Sequence, residues 1–99
     1  MAKLAADETI LVGAWALDEK GTMVGNDACR RIGELITREL LKLGHHSNGW
    51  ELLYLDRSDG RFWELIYPQG HLHGGGPPTL QHLSADQAIT KYGAIAKTV

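Results

Sequence analysis

Two imidazoles, His71 and His73, flank Leu72 in an extended stretch and fall on one side of it, a spacing that can serve a metal. With Glu64 on the strand before them they could make a small metal-binding module or a metal-dependent enzyme. The ligand set is incomplete, however. No third ligand of standard spacing follows, and the single cysteine, Cys29, falls inside an expected helix. Loop histidines donating to nearby carbonyls fit the same residues, and no metal or cofactor is expected.

His73-Gly74-Gly75-Gly76 has the form of an esterase oxyanion loop, in which glycines let backbone amides approach a developing oxyanion. The chain has no Gly-x-Ser-x-Gly elbow to supply the nucleophile, and it is too short for the sheet such enzymes need. Nor is the run a phosphate cradle: the Gly-x-x-x-x-Gly-Lys pattern is missing, and Pro77 and Pro78 remove two amide donors. Close backbone approach to a neighbour, with the prolines holding the exit extended, suits it better. Glu51 and Glu64 form a second constellation. On paired strands they would be cross-strand or diagonal neighbours, able to hold a metal or share a proton. Like charges so placed need a cation. Arg57, Arg61 or a lysine can supply it internally, or a partner's basic residue can.

The elements that must position these groups can be read from periodicity. Thr9 to Leu17 reads as a strand with Met23 and Val24 as hairpin partner. Ala28, Cys29, Ile32, Leu35, Ile36, Leu40 and Leu43 recur at three and four residues, which predicts an amphipathic helix capped by Asn26 or Asp27 and stopped at Gly44. Asp27–Arg31 and Glu34–Arg38 are favourable four-residue pairs on it. Trp50–Asp56 and Arg61–Tyr67 predict a hairpin. With Asp56 opposite Arg61, Trp50, Leu52, Tyr54, Trp63, Leu65 and Tyr67 share one face, the natural one to bury. Glu51, Leu53, Leu55, Phe62, Glu64 and Ile66 share the other, which makes Phe62 the better candidate for exposure. Leu17–Gly21 and Leu55–Gly60 both place Asp early and Gly late, the chemistry of tight turns. Thr79–Leu83 predicts a short strand, and Ser84-Ala85-Asp86-Gln87 a capping box opening a helix that weakens at Gly93. The sum is an α+β fold, a small antiparallel sheet of about four to five strands packed by two helices.

Composition bounds what such a domain can do. Ninety-nine residues make one domain, 1–99, with residues 1–8 expected to be flexible. At 43% apolar and 22% charged the chain is neither disordered nor a coiled coil. Ten basic against twelve acidic side chains lack the basic excess of a nucleic-acid binder, so no direct nucleic-acid contact is expected. The run Ile10–Leu17 is far shorter than the roughly twenty residues a membrane span needs. The N-terminus shows no apolar signal region, which makes a cytoplasmic location the expectation.

Three strings together carry a resemblance: Gly49-Trp50-Glu51-x-Leu53-Tyr54-x-Asp56, then Asp59-Gly60-Arg61-x-Trp63-Glu64-Leu65-x-Tyr67-Pro68-Gln69, then His73-Gly74-Gly75-Gly76-Pro77-Pro78. They resemble the immunity protein 27 family of bacterial polymorphic-toxin systems. Gly13-x-Trp15, the Cys29-Arg30-Arg31-Ile32 helix start and the Ser84–Tyr92 helix fit the same family, while Gly70-His71-Leu72 is atypical of it. The resemblance implies no catalysis, no catalytic residues and a protein partner, the C-terminal domain of a cognate toxin. Many such toxins are nucleases with basic active sites, which an acidic patch of Glu51, Asp56, Asp59 and Glu64 would complement. The hairpin turn and the glycine–proline loop are the expected contact surface: Glu51, Asp56, Asp59, Arg61, Phe62, Glu64, Gln69, His73, Gly74, Gly75 and Gly76.

Overall fold

A computed structural model describes residues 4–47, 49–68 and 76–97. The elements in chain order are β1 (Ile10–Val12), β2 (Trp15–Leu17), β3 (Met23–Gly25), α1 (Asp27–Glu34), a π-helical turn (Leu35–Glu39), β4 (Leu40–His45), β5 (Leu52–Asp56), β6 (Arg61–Ile66), β7 (Thr79–Leu83), α2 (Ala85–Tyr92) and α3 (Ala94–Lys97). Five strands form one antiparallel sheet in the order β1-β7-β6-β5-β4, and β2 and β3 form a separate ribbon. This is the expected α+β architecture.

The β5–β6 register pairs Asp56 with Arg61 and Tyr54 with Trp63, so the two faces fall as the alternation requires. On one side Tyr54, Trp63, Leu65 and Leu80 pack against Ile32 and Leu35 of the α1 passage. On the other, Leu53, Phe62 and Leu83 pack against Ala88, Tyr92 and Ala96 of the C-terminal helices. The sheet is therefore covered on both sides. That is why Phe62, expected to be exposed, is 9% exposed.

The long helix expected to reach Gly44 ends at Glu39. Leu40 joins the α1-side cluster while Leu43 packs with the α2-side cluster, on opposite sides of the sheet. No single helix stripe can place them so. The segment pairs with β5 instead, with a bulge between Lys42 and Gly44. Apolar residues at 40 and 43 satisfy the helical period and a half-buried strand alike, and pairing with β5 decides between them. Asn26 is the cap, its Oδ1 accepting from the Cys29 amide at 3.0 Å. Asp27 pairs with Arg30, and Arg31 reaches Glu8.

The single N-terminal strand is likewise divided at Gly13–Ala14. There the chain crosses Pro78, and the Gly13 amide donates to the Pro78 carbonyl at 2.8 Å. A Cβ on Gly13 would lie 2.5 Å from that carbonyl oxygen and 2.7 Å from Cys29 Sγ, so only glycine permits the crossing. Within residues 4–8, Leu4 packs on the α1-side cluster and Glu8 binds Arg31.

Candidate functional site

The turn at the β5–β6 hairpin is built by Asp56. Its Oδ1 accepts from the Ser58 amide at 2.9 Å and the Ser58 hydroxyl at 2.6 Å, and its carbonyl accepts from the Gly60 amide at 2.7 Å, with Gly60 at φ 79°. Asp56 is 7% exposed, so it caps its own turn and offers little to a partner. Asp59 is the outward carboxylate. Burial works against its charge, but the Arg61 amide at 3.0 Å and the Arg61 Nε at 2.6 Å outweigh that and hold it below the usual carboxylate range.

Arg61 fastens the N-terminal segment. Its guanidinium donates to Asp59, to the Glu8 carbonyl at 2.6 Å and to the Ala5 carbonyl at 2.9 Å, and lies 4.9 Å from the centre of the Trp63 ring. Glu8 in turn receives both terminal nitrogens of Arg31. That bidentate bond, with the Ala5 amide, lowers the Glu8 carboxyl from 4.5 to about 2. A folded-state value below the unfolded one stabilises the fold above pH 4.5 and loses that contribution as pH falls toward 2. The pair is partly exposed, so about 1 kcal/mol is expected. Urea midpoints at pH 5 and pH 2.5 should differ more in the native chain than in Glu8→Gln.

Glu64 sits on the α2 side of β6 and is 1% exposed. Its Oε1 accepts from Gln81 Nε2 at 2.9 Å; its Oε2 accepts from the Tyr92 hydroxyl at 2.8 Å and is paired with Lys91 Nζ. Lys91 also reaches Glu51 Oε2 at 3.0 Å. A lysine, then, supplies the internal cation that the two glutamates require. Burial opposes the Lys91 charge, but Glu64 and Glu51 prevail and raise its pKa. Burial, reinforced by Glu64, pushes the Tyr92 phenol well above its ordinary value. Sequence periodicity pointed to the Tyr92 helix but not to Lys91 or Gln81 as Glu64's partners. The one available signal was a basic residue next to the helix's inward stripe.

The expected contact residues divide into separate places. Asp56, Asp59 and Arg61 lie at the turn end of the hairpin. Gly76 is buried at φ 71° and precedes β7, whose Thr79 pairs with Ile66, so it lies at the opposite, open end. From Gly60 to Tyr67 the strand rises roughly 23 Å, about 3.3 Å per residue. Glu51 and Glu64 are gathered by Lys91 under α2. The four acids Glu51, Asp56, Asp59 and Glu64 therefore form no common patch, because two cap or flank a turn and two share an internal cation. Gln69, His73, Gly74 and Gly75, like His71, lie outside the described residues. Gly76, the described part of the loop, is buried beside Pro77.

Among the described residues no group of three or more His, Cys, Asp or Glu could hold a metal. A metal on Glu64 would have to displace Gln81, Tyr92 and Lys91. Two of the hollows are small, about 220 Å³ beside the turn (Leu4, Leu35, Leu40, Asp56) and about 70 Å³ at Val12, Pro68 and Pro77. Both are below the roughly 300–1,000 Å³ of common small-molecule clefts. Wider depressions along Leu17–Lys20 and Arg30–Arg38 are open to solvent. No helix among the described residues is long and apolar enough to cross a membrane.

No curated protein and no solved structure matches the chain. The family model described as immunity protein 27 matches residues 18–84, about two-thirds of the 99 residues, from the ribbon through the hairpin to the α2 cap. The chain belongs to the immunity protein 27 family.

Proposed function

We propose that this protein is the immunity partner in a bacterial polymorphic-toxin system: it binds a cognate toxin domain in the cytoplasm of the cell it protects and neutralises it by occlusion, without catalysing a reaction. The family supports an immunity role. The observation that carries the non-catalytic part is the state of the buried carboxylates. Among the described residues these are Asp56 and Glu64: both oxygens of Glu64 are taken by Gln81, Tyr92 and Lys91, and Oδ1 of Asp56 is spent on Ser58. General acid–base work needs a carboxyl within reach of a substrate proton, and Glu64 is not so presented.

A nuclease target would meet this surface at the turn end, where Asp59 is the outward carboxylate. Co-expression with the toxin domain encoded beside this chain's gene tests the reading. The native chain should restore growth of the toxin-producing host. Asp59→Lys, if still folded, should weaken that protection about tenfold or less, the size typical of a charge at the rim of an interface. Growth arrest that the native chain leaves unrelieved would sink the immunity reading. Protection unchanged by Asp59→Lys would remove only the turn from the interface.

A further inference from the structure

Among the described residues, the helical passage 27–39 covers the middle of the α1 side of the sheet, and exposure rises toward the open end of the hairpin. Tyr54 and Trp63 are 4% and 0% exposed beneath it, whereas Tyr67 is 37% exposed and Trp50 67%. Four aromatics were expected to share a buried face, and two of them do not. Tyr67 follows Trp63 and Leu65 in alternation, which sets it on the α1 side. Trp50 lies two residues before β5, and the register that sets Leu52 opposite Leu65 brings it level with Tyr67. The register of β4 sets Lys42 opposite Tyr54 and His45 opposite Leu52, on that same side; both are exposed. Lys42 makes no ion pair among the described residues.

We propose that this end of the sheet is the anchor of the toxin contact. Trp50 and Tyr67 form its centre and Lys42 its charged rim, and the partner is a toxin face with an apolar or planar centre and a carboxylate at its edge. The inference rests on the immunity reading above and adds to it a second contact, at the end of the hairpin away from Asp59. At 67% and 37% exposure these two large rings keep much of their surface in water. In an interface the same rings bury much area while losing only two side-chain torsions each, which is why Trp and Tyr predominate among hot spots. The carboxylate is called for by Lys42, an exposed cation without an ion pair among the described residues, on the rim of an aromatic surface. The site lies at the Pro68 end of β6, far from the turn.

The test uses the full chain and the toxin domain encoded beside its gene, with affinity read by calorimetry and mass in solution by light scattering. Trp50→Ala and Tyr67→Ala should each weaken binding about 30-fold or more, and Lys42→Glu about tenfold, with urea midpoints close to that of the native chain. Trp50→Phe should recover much of the affinity, which separates a contact role from loss of fold. Native binding with both alanine variants within threefold overturns the inference and leaves the immunity reading standing. A native homodimer that Trp50→Ala dissolves, with toxin affinity unchanged, also overturns it, since the occupant is then a second copy. No binding by the native chain brings down the immunity reading and this surface together.

Discussion

Trp63→Ala should destabilise the domain by about 3–5 kcal/mol, a large fraction of the 5–15 kcal/mol by which such domains are stable. Trp63 has no exposed surface and stands at the centre of the α1-side cluster with Ile32, Leu35, Leu40, Tyr54, Leu65 and Leu80. It is paired with Tyr54 on β5 and His82 on β7, the latter edge-on at 5.9 Å, and carries the Arg61 guanidinium over its ring. Removing the indole opens a cavity that three strands and a helix would have to collapse to fill. The same ring holds a cost of its own: its Nε1 is buried without a hydrogen-bond partner among the described residues. Such an orphan costs about 1–3 kcal/mol. Trp63→Phe deletes it along with part of the ring volume, so the two terms offset and the net loss should stay below about 2 kcal/mol. Urea titrations with a common slope measure both variants. A Trp63→Phe loss above about 3 kcal/mol would mean that deleting the indole N–H brings no relief, so that the N–H is satisfied.

Trp63 also shows how far a sequence of this kind can be read. Its place on a buried face follows from alternation once Asp56 is set opposite Arg61, and the turn residues set that register. The capping box at Ser84 and Gln87 is equally local, and both of its bonds form. What alternation does not carry is where the cover ends. Phe62 was assigned to the open face because only one side of the sheet was expected to be covered; the C-terminal helices cover the other. Trp50 and Tyr67 were assigned to the core because they share a face with Trp63, but a face extends beyond the helix lying on it. The period also overruns the helix itself, since Leu40 and Leu43 fit it yet belong to β4. The candidate site follows the same division. Asp56 is legible as a turn residue, and the chemistry that suits it to a turn also draws one oxygen of its carboxylate inward. Lys91 and Gln81 meet Glu64 across 27 and 17 residues of chain, and no local signal specifies such a meeting.

Lys91→Ala should cost about 3 kcal/mol, more than most replacements of a half-exposed lysine. Truncation leaves Glu64 in place, 1% exposed, with the Tyr92 hydroxyl and Gln81 amide still donating but no cation. A buried carboxylate without its counter-ion is the costly half of a broken ion pair. Glu64→Gln avoids that charge, keeps an acceptor for Tyr92 and leaves Lys91 to Glu51, so it should cost about half as much. In the double variant the loss of Lys91 no longer strands a buried charge. The two effects should therefore fall short of adding by about 1–3 kcal/mol, which a double-mutant cycle reads directly. Additive losses would show that Lys91 acts through its packed stem rather than its charge. An alkaline titration supplies an independent check of sign. Lys91 and Tyr92 both hold their protons more tightly folded than unfolded. Their contribution is complete below the ordinary values of 10.0 and 10.5 and is lost as pH rises beyond them. The native chain should lose stability steeply there and Lys91→Ala less steeply. This network fastens α2 to β6 on the side of the sheet away from Trp50 and Tyr67. A Lys91→Ala chain that stays folded at neutral pH should consequently keep its toxin affinity, so stability and binding report on opposite faces of the same strands.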